Sequence, residues 1–405
     1  MSWLLLAVAT IALLTWLHLL LMRGGFWRAD RRLQRQVHLK PDQAPPIVAV
    51  IPARNEAEVV GRAVRGVLEQ GYAGELQLVL VDDGSDDGTA EVARAVAEEI
   101  GQAERLTVLK GAPLPPGWAG KLWAQQQGVA EAHRLSPEAV YLWFIDADIV
   151  AAPDSLNRLA AKAEAEGQAL VSLMALLHHQ GFWPRLLIPP FVFFFQKLYP
   201  FAWANDMQRD TAAAAGGCIL LRVESLRRAG GLEAIKDALI DDCTLARLIK
   251  DQARSEGRSI WLGLTRSVVS IRPYRRLSEI WHMVARSAYT QLEHSPDKLV
   301  STVLGMLLLY VAPPAIPLTV SLHGAWLAAI IAAGAWFLMA VAALPTYQLY
   351  RETAWRTLLL PLAGLLYTAM TLDSAWQYRR GRGGYWKGRA QAPAGGPLAG
   401  EGDGG

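Results

Sequence analysis

Residues 81–89 read VDDGSDDGT; they close the apolar run 76–81 and lead into a helical pattern over residues 90–100. Acidic side chains at the carboxyl end of a strand stand where open α/β sheets bind nucleotides. A second cluster, Asp146-Ala147-Asp148, ends another apolar run, residues 140–145. Two strand-end acid clusters in one α/β half point to a nucleotide on one side and a divalent cation on the other. A nucleotide-diphosphate sugar offers that combination of base and diphosphate.

Working outward, residues 47–51 read as the first strand, 59–70 as a helix and 76–81 as the second strand. Residues 106–109 form the third strand. The turn-rich stretch 111–120 precedes a helix over 121–134, and 140–145 is the fourth strand. Strands alternating with helices of this length predict βαβ units and a mostly parallel sheet flanked by helices. Further on, 155–166 reads as helix, 169–177 as strand, 216–222 as strand, 238–250 as helix and 260–270 as strand. Between them, residues 181–203 are apolar and aromatic, and Pro184, Pro189, Pro190 and Pro200 interrupt them. With Arg185 and Lys197 in the same stretch, these prolines argue against a spanning helix. They favour a segment lying at headgroup depth, with a buried core segment as the alternative.

Hydropathy along the 405 residues is uneven. Residues 2–22 contain no Lys, Arg, Asp or Glu and are long enough to span a bilayer. Residues 299–322 and 325–344 are two more such runs, and 357–372 is a shorter, weaker one. The first run reads as a retained anchor rather than a signal peptide, since no basic residue precedes it and no small-x-small site follows. The formal net charge of +3 excludes a general nucleic-acid binder. Basic residues cluster instead behind the first run, at Arg23, Arg28, Arg31, Arg32, Arg35 and Lys40. They predict an inner-membrane protein whose α/β region lies in the cytoplasm, and they suit anionic headgroups.

Three further crossings would put the C-terminus outside, whereas Arg379, Arg380, Arg382, Lys387 and Arg389 favour inside. Pro313, Pro314 and Pro317 interrupt one run, so that run or the short last one is a candidate for re-entrance. The expected organisation is an anchor at 1–23 and a basic linker at 24–46. A nucleotide-sugar-binding half at 47–150 and an acceptor half at 151–296 follow, then a membrane region at 297–376 and a tail at 377–405, its end (390–405) Gly/Ala/Pro-rich and read as disordered. Cys218 and Cys243 lack metal-ligand spacing and read as buried apolar residues.

Among candidate site residues, Pro52, Arg54 and Glu56 follow the first strand at its carboxyl end, where a loop can contact a base or ribose. Asp82 and Asp83 can accept hydrogen bonds from a base or a ribose hydroxyl; Ser85 or Asp86 could simply cap the next helix. Lys121 opens a helix after a glycine, a natural place for diphosphate oxygens, or is a plain surface lysine. Asp146 and Asp148, two apart on an expected extended segment, point the same way and suit Mg²⁺ or Mn²⁺. Asp241 and Asp242 precede an amphipathic helix; one could cap it, and the functional reading is a general base for an acceptor hydroxyl. Arg286 and Gln291 stand just before the membrane region, where Arg286 could pair with a departing diphosphate or simply lie exposed. His178, His179 and His282 read as structural.

The segments PARNE, VDDGSDDGT, GWAGKLWA, DAD, GGCILLR and IDDCTLA resemble those of inverting family 2 glycosyltransferases with the GT-A fold. The flanking apolar runs are similar to the layout of ceramide glucosyltransferase-like members. PLPPGWAGK, RSAYTQL (286–292) and WKGR (386–389) look most like the bacterial hopene-associated glycosyltransferase family. The resemblance implies that Pro52, Arg54, Glu56 and Asp83 bind the nucleotide. It further implies that Asp148 with Asp146 holds a divalent cation and the donor diphosphate, and that Asp242 is the base, within a pair that here reads Asp-Asp. The Gln-x-x-Arg-Trp pattern of polymerising members does not occur, which favours transfer of one sugar; the apolar anchors and the apolar stretch 181–203 suggest a lipid acceptor, a hopanoid-type lipid among the candidates. Transfer to a polyprenyl phosphate, or a silent nucleotide-sugar-binding scaffold, are the alternatives.

Overall fold

The computed structural model describes residues 2–33, 39–381, 385, 386, 389 and 390. Arg35, Arg382, Lys387 and residues 391–405 of the expected disordered tail lie outside the described residues.

Four strands, β1 (Ile47–Ala53), β2 (Leu76–Asp82), β3 (Leu106–Lys110) and β4 (Tyr141–Ile145), pair in parallel in the order β3-β2-β1-β4. Every residue of β1 is buried. A near-continuous Val/Ile run of this kind belongs to a strand covered on both faces. Ile47, Ala49 and Ile51 pack with α2 (Val60–Leu68) and α3 (Thr89–Glu99), while Val48 and Val50 pack with α4 (Gly120–Leu135) on the other face.

The second half mixes parallel and antiparallel pairings. After β5 (Ile149–Ala151) and α5 (Ser155–Ala165) come β6 (Gln168–Leu176), α6 (Phe182–Leu198), α7 (Phe201–Ala204) and β7 (Cys218–Arg222). They are followed by α8 (Val223–Arg228), α9 (Asp241–Glu256), β8 (Ser259–Ser270) and α10 (Leu277–Ala285). The single sheet has eight strands in the order β3-β2-β1-β4-β7-β6-β8-β5. β7 runs antiparallel to both β4 and β6, and β5 antiparallel to β8. The expected parallel pairing holds for β1–β4 and for β6 with β8, and β7 and β5, which run antiparallel to their neighbours, make the sheet mixed.

Residues 181–203 do not break where their prolines suggest. α6 passes through Pro189-Pro190 as one helix, and only Pro200 interrupts the segment. Leu186, Leu187, Ile188, Val192 and Phe193 are buried, and the Tyr367 hydroxyl donates to the Leu187 carbonyl at 2.9 Å.

Four helices are long and apolar enough to cross a membrane: Ser2–Met22, Pro296–Leu318, Trp326–Leu349 and Ala354–Arg379. The first is α1. The second joins α11 (Pro296–Met306), a π-helical stretch (Leu307–Val311) and α12 (Ala312–Leu318), with α13 (Val320–His323) beyond it. The third is α14, and the fourth is a 3₁₀ stretch (Ala354–Leu359) leading into α15 (Leu360–Arg379). Pro313 and Pro314 do not end the second helix. Pro313 has no N–H for the Leu309 carbonyl, and the Trp16 indole of α1 donates to that oxygen at 3.0 Å instead. A neighbouring helix thereby satisfies a backbone group that proline would strand in an apolar medium. Alanines form the α1–α14 seam, where small side chains let helices approach closely. In the tail, β9 (Tyr385–Trp386) and β10 (Arg389–Ala390) pair antiparallel.

Gly128 fixes how closely α4 lies on the sheet, since a Cβ there would stand 2.3 Å from Val50 Cγ1. Gly128→Ala should gain up to about 1 kcal/mol in helix propensity. It should lose about 1–3 kcal/mol to overpacking, so thermal unfolding of the purified protein should show a lower Tm.

Candidate active site

Parallel pairing of β1 with β2 brings Ala53 opposite Asp82, so the loops after the two strands lie side by side. They are laced together. Asn55 N donates to Ser85 Oγ at 3.0 Å, Ala57 N to Asp87 Oδ2 at 2.9 Å and Glu56 N to Thr89 Oγ1 at 2.8 Å. Asp86 N donates to Asn55 Oδ1 at 3.1 Å. Asp82 holds its own turn, with Oδ1 accepting from Ser85 N at 3.0 Å. Asp83 is buried, and Arg54 donates to its carbonyl while its guanidinium lies 3.8 Å from the carboxylate. Neither Ser85 nor Asp86 caps α3; Asp87 Oδ1 accepts from Thr89 N at 3.0 Å. Much of the nonapeptide is therefore architectural.

Beside these loops opens a cleft of about 760 Å³, lined by Pro52, Glu56, Lys121, Asp146, Asp148, Asp241, Asp242, Arg286 and Gln291. It gathers most of the residues singled out in the sequence; Arg54, Asp82 and Asp83 are not among its lining. His282, expected to be structural only, stands on its wall.

Asp146–Asp148 is a turn and not the expected extended segment, because Ile149 N donates to the Asp146 carbonyl at 3.0 Å before β5 begins. The two carboxylates consequently meet different cations. Asp146 Oδ1 lies 2.9 Å from Lys121 Nζ, which also reaches Asp241 Oδ2 at 3.3 Å. Asp148 Oδ2 accepts from Ser270 Oγ at 2.7 Å and lies 3.4 Å from Arg272 Nε, while Arg272 Nη2 reaches Glu56 Oε1 at 2.6 Å. Lys121 is thus no surface lysine. Burial works to lower its pKa, but Asp146, Asp241 and Asp242 outweigh burial and raise it. Burial likewise works against the charge on Arg272, and Asp148 and Glu56 prevail.

Asp242 sits in the first turn of α9. Its Oδ2 accepts from Gly216 N at 2.9 Å and its Oδ1 from Cys243 N at 2.7 Å. Burial, and then the neighbouring Asp241 charge, push its carboxyl up to about 6, against the pull of Lys121 and the two backbone N–H groups. Gly216 allows this approach: a Cβ there would stand 3.3 Å from both Asp242 Cβ and Lys121 Nζ.

Two carboxylates on one turn are a fitting donor set for a divalent cation. Burial, reinforced by Asp148 and opposed by Lys121, raises the Asp146 carboxyl, and a cation between the acids would relieve their repulsion. Among the described residues no group of three or more His, Cys, Asp and Glu could hold a metal alone. A cation here would take further ligands from diphosphate and water, as Mg²⁺ commonly does.

Arg272, Ser270 and Tyr274 were not anticipated as cleft residues. The rule that flagged the acids, polar side chains just beyond a strand end, applies equally to Arg272, two residues past β8.

A mixed sheet with helices on both faces, and acids beyond β4 opening on a cleft beside the loop that follows β2, is the arrangement of the GT-A type of nucleotide-diphospho-sugar transferase fold. The fold matches a mannosyltransferase from Pyrobaculum calidifontis in complex with GDP-Man and Mn²⁺, with TM-score 0.51 and 20% identity, over 92% of this chain and 99% of that one. Residues 48–230 match the family described as Glycosyl transferase family 2. An N-acetylglucosaminyltransferase from Mesorhizobium japonicum is 33% identical over 146 residues, 35% of this chain and 32% of its own length. An undecaprenyl-phosphate 4-deoxy-4-formamido-L-arabinose transferase from Pseudomonas aeruginosa is 29% identical over 151 residues, 36% of this chain and 40% of its own. The chain thus spans well under half the length of the curated relatives it matches.

Arg272→Met removes the cation that Glu56 and Asp148 share and should cost about 1–3 kcal/mol of stability. A double-mutant cycle with Glu56→Gln, followed by thermal denaturation, should return a coupling of at least about 0.5 kcal/mol.

Proposed function

We propose that the protein is a membrane-bound inverting glycosyltransferase. In this reading it moves a single sugar from a nucleotide-diphospho-sugar to a hydroxyl of a lipid acceptor, with a hopanoid-type lipid the favoured candidate. The observation that carries it is the position of Asp242. This carboxylate is oriented by two backbone N–H groups and has a raised pKa. It borders a cleft lined on one side by the acid–cation cluster and on another by Phe191, Phe194, Phe195 and Met283. A base near the donor with an apolar wall opposite suits an acceptor whose body is hydrocarbon. The Ser2–Met22 helix and the basic residues behind it support an inner-membrane location with the catalytic region in the cytoplasm.

Asp242 takes the proton from the acceptor hydroxyl, whose oxygen attacks the anomeric carbon from the face opposite the leaving diphosphate, giving inversion. Burial, and then the Asp241 charge, raise the Asp242 pKa enough for the group to act as a base near neutral pH. Pro52 and Glu56 line the nucleotide end, with Arg54 and Asp83 bound to each other in the loops beside it, and Arg286 borders the cleft where it could meet diphosphate oxygens. A Mg²⁺ or Mn²⁺ ion held by Asp146 and Asp148 would offset charge on the diphosphate.

A second reading, transfer to a polyprenyl phosphate, is favoured by the name of the Pseudomonas relative. Against it, Lys121 and Arg272 are already tied to carboxylates, leaving Arg286 and His282 as the basic side chains lining the cleft without an ion pair among the described residues. An acceptor phosphate would also need no base.

Asp242→Asn should lower transfer by about 10²–10⁴-fold while nucleotide-sugar binding, followed by calorimetry, stays nearly unchanged; near-normal turnover would sink the assignment. The wild-type rate should fall as pH drops through about 6, where Asp242 takes up its proton. That acid limb should vanish from the residual activity of the variant. Chelation of divalent cations should suppress transfer, and added Mn²⁺ should restore it in the wild type but not in Asp148→Asn. The acceptor class is tested by mass spectrometry of total lipids with and without the enzyme, with UDP-glucose, UDP-N-acetylglucosamine and GDP-mannose as donors.

A further inference from the structure

We propose that the fourth apolar segment, Ala354–Arg379, is a re-entrant hairpin and not a crossing. In this proposal its inner face walls a channel that takes the hydrocarbon body of the acceptor from the lipid phase. The channel rests on the lipid-acceptor reading above; the hairpin does not.

α14 ends against the catalytic region. Leu177 N donates to the Tyr350 hydroxyl oxygen at 3.3 Å, and Arg266 Nε donates to the Leu349 carbonyl at 2.8 Å. From there the chain turns back along α14. The Trp336 indole donates to the Leu358 carbonyl at 3.3 Å, and at 1.5 Å per residue Trp336 lies about 20 Å before the end of α14. Leu360 is buried in one cluster with Met339, Ala342 and Ala343 of α14 and Trp16 of α1.

α15 then climbs back to the side it came from. A Cβ on Gly364 would stand 2.8 Å from Tyr310 Cβ, at the middle of Pro296–Leu318. At its far end the Trp281 indole donates to Asp373 Oδ2 at 2.7 Å, and Tyr289 N donates to Ser374 Oγ at 3.0 Å. The Tyr378 ring stacks on His294 at 4.1 Å, just before α11 begins. A spanning α15 would end beside Leu318. Instead it lies along only the first half of that helix, and the segment 354–379 as a whole begins and ends at the catalytic region. The chain then crosses three times. Arg379 and Arg380 fall on the same side as Arg23, Arg28 and Arg31, which removes the conflict between crossing number and charge.

The two faces of α15 differ. Leu362, Leu365 and Leu372 are exposed outward. Tyr367 faces the cleft, its ring 5.1 Å from that of Phe194, and lines it with Phe191, Phe195 and Met283. A helix with one face to lipid and the other to the cavity of the presumed base lets a hydrocarbon chain pass sideways into the site without crossing water.

In the full-length protein, single cysteines at Ser321, Arg351, Arg379 and, as a marker of the catalytic region, Asp210 are reacted with a membrane-impermeant maleimide in vesicles of each orientation. Arg351→Cys and Arg379→Cys should label from the Asp210→Cys side, with near-complete loss from the other, and Ser321→Cys should show the reverse. Labelling of Arg379→Cys from the Ser321→Cys side overturns the hairpin. For the channel, a diazirine-bearing octadecanol is photolysed in phosphatidylcholine vesicles containing the wild type. Crosslinks should fall on residues 191–195 and Tyr367. Crosslinks confined to outward positions such as Leu362 and Leu365 overturn the channel. Neither readout involves sugar transfer, so either failure is distinct from loss of the transfer reading, which the Asp242→Asn assay decides.

Discussion

The arrangement depends on one charge balance. Asp146 and the adjacent pair Asp241 and Asp242, far apart in the chain, gather around a single ammonium, Lys121 Nζ, which lies 2.9 Å from Asp146 and 3.3 Å from Asp241. Three carboxylates brought together out of bulk water would repel strongly, since Coulomb energies grow as the local dielectric falls. Lys121 offsets that repulsion from the first turn of α4, and Arg272 does the same for Glu56 and Asp148. The need to place these cations explains the local geometry. Gly128 lets α4 lie close on β1, and Gly216 leaves room for Lys121 and Asp242 to meet.

The same balance separates roles among chemically identical groups. Asp148 is held by a hydroxyl and a guanidinium, whereas Asp242 is held by two backbone N–H groups next to a second acid. Burial and the Asp241 charge raise the Asp242 carboxyl. Chemically identical groups in one cleft are thereby given different surroundings, and only such differences can give carboxylates different roles.

The membrane helices and the catalytic region are parts of one structure. α6 packs on the sheet side and on α14 and α15, and the Tyr367 hydroxyl caps an α6 carbonyl. Prolines that read as breaks are absorbed because neighbours take over the stranded carbonyls, as Trp16 does for Leu309. A proline pattern states which backbone donors are missing; it does not state whether another helix supplies a replacement.

Strand and helix order in the first half, the acid clusters and the apolar runs were all legible in the sequence, because hydrophobic period and strand-end chemistry are local properties. The mixed sheet was not, since strand direction after β4 depends on which edge the chain returns to. The roles within VDDGSDDGT were not legible either: Asp82 holds its own turn, Asp87 accepts from Ala57 N, and the buried Asp83 meets Arg54, the last two some thirty positions away. Arg272 escaped notice because its carboxylate partners are distant in sequence. Composition alone determined that residues 354–379 are apolar enough for a membrane. Only tertiary contacts decided that this segment turns back beside Trp336 and Met339 and ends against Trp281 and Tyr289, because depth is set by what a helix packs against and not by its length.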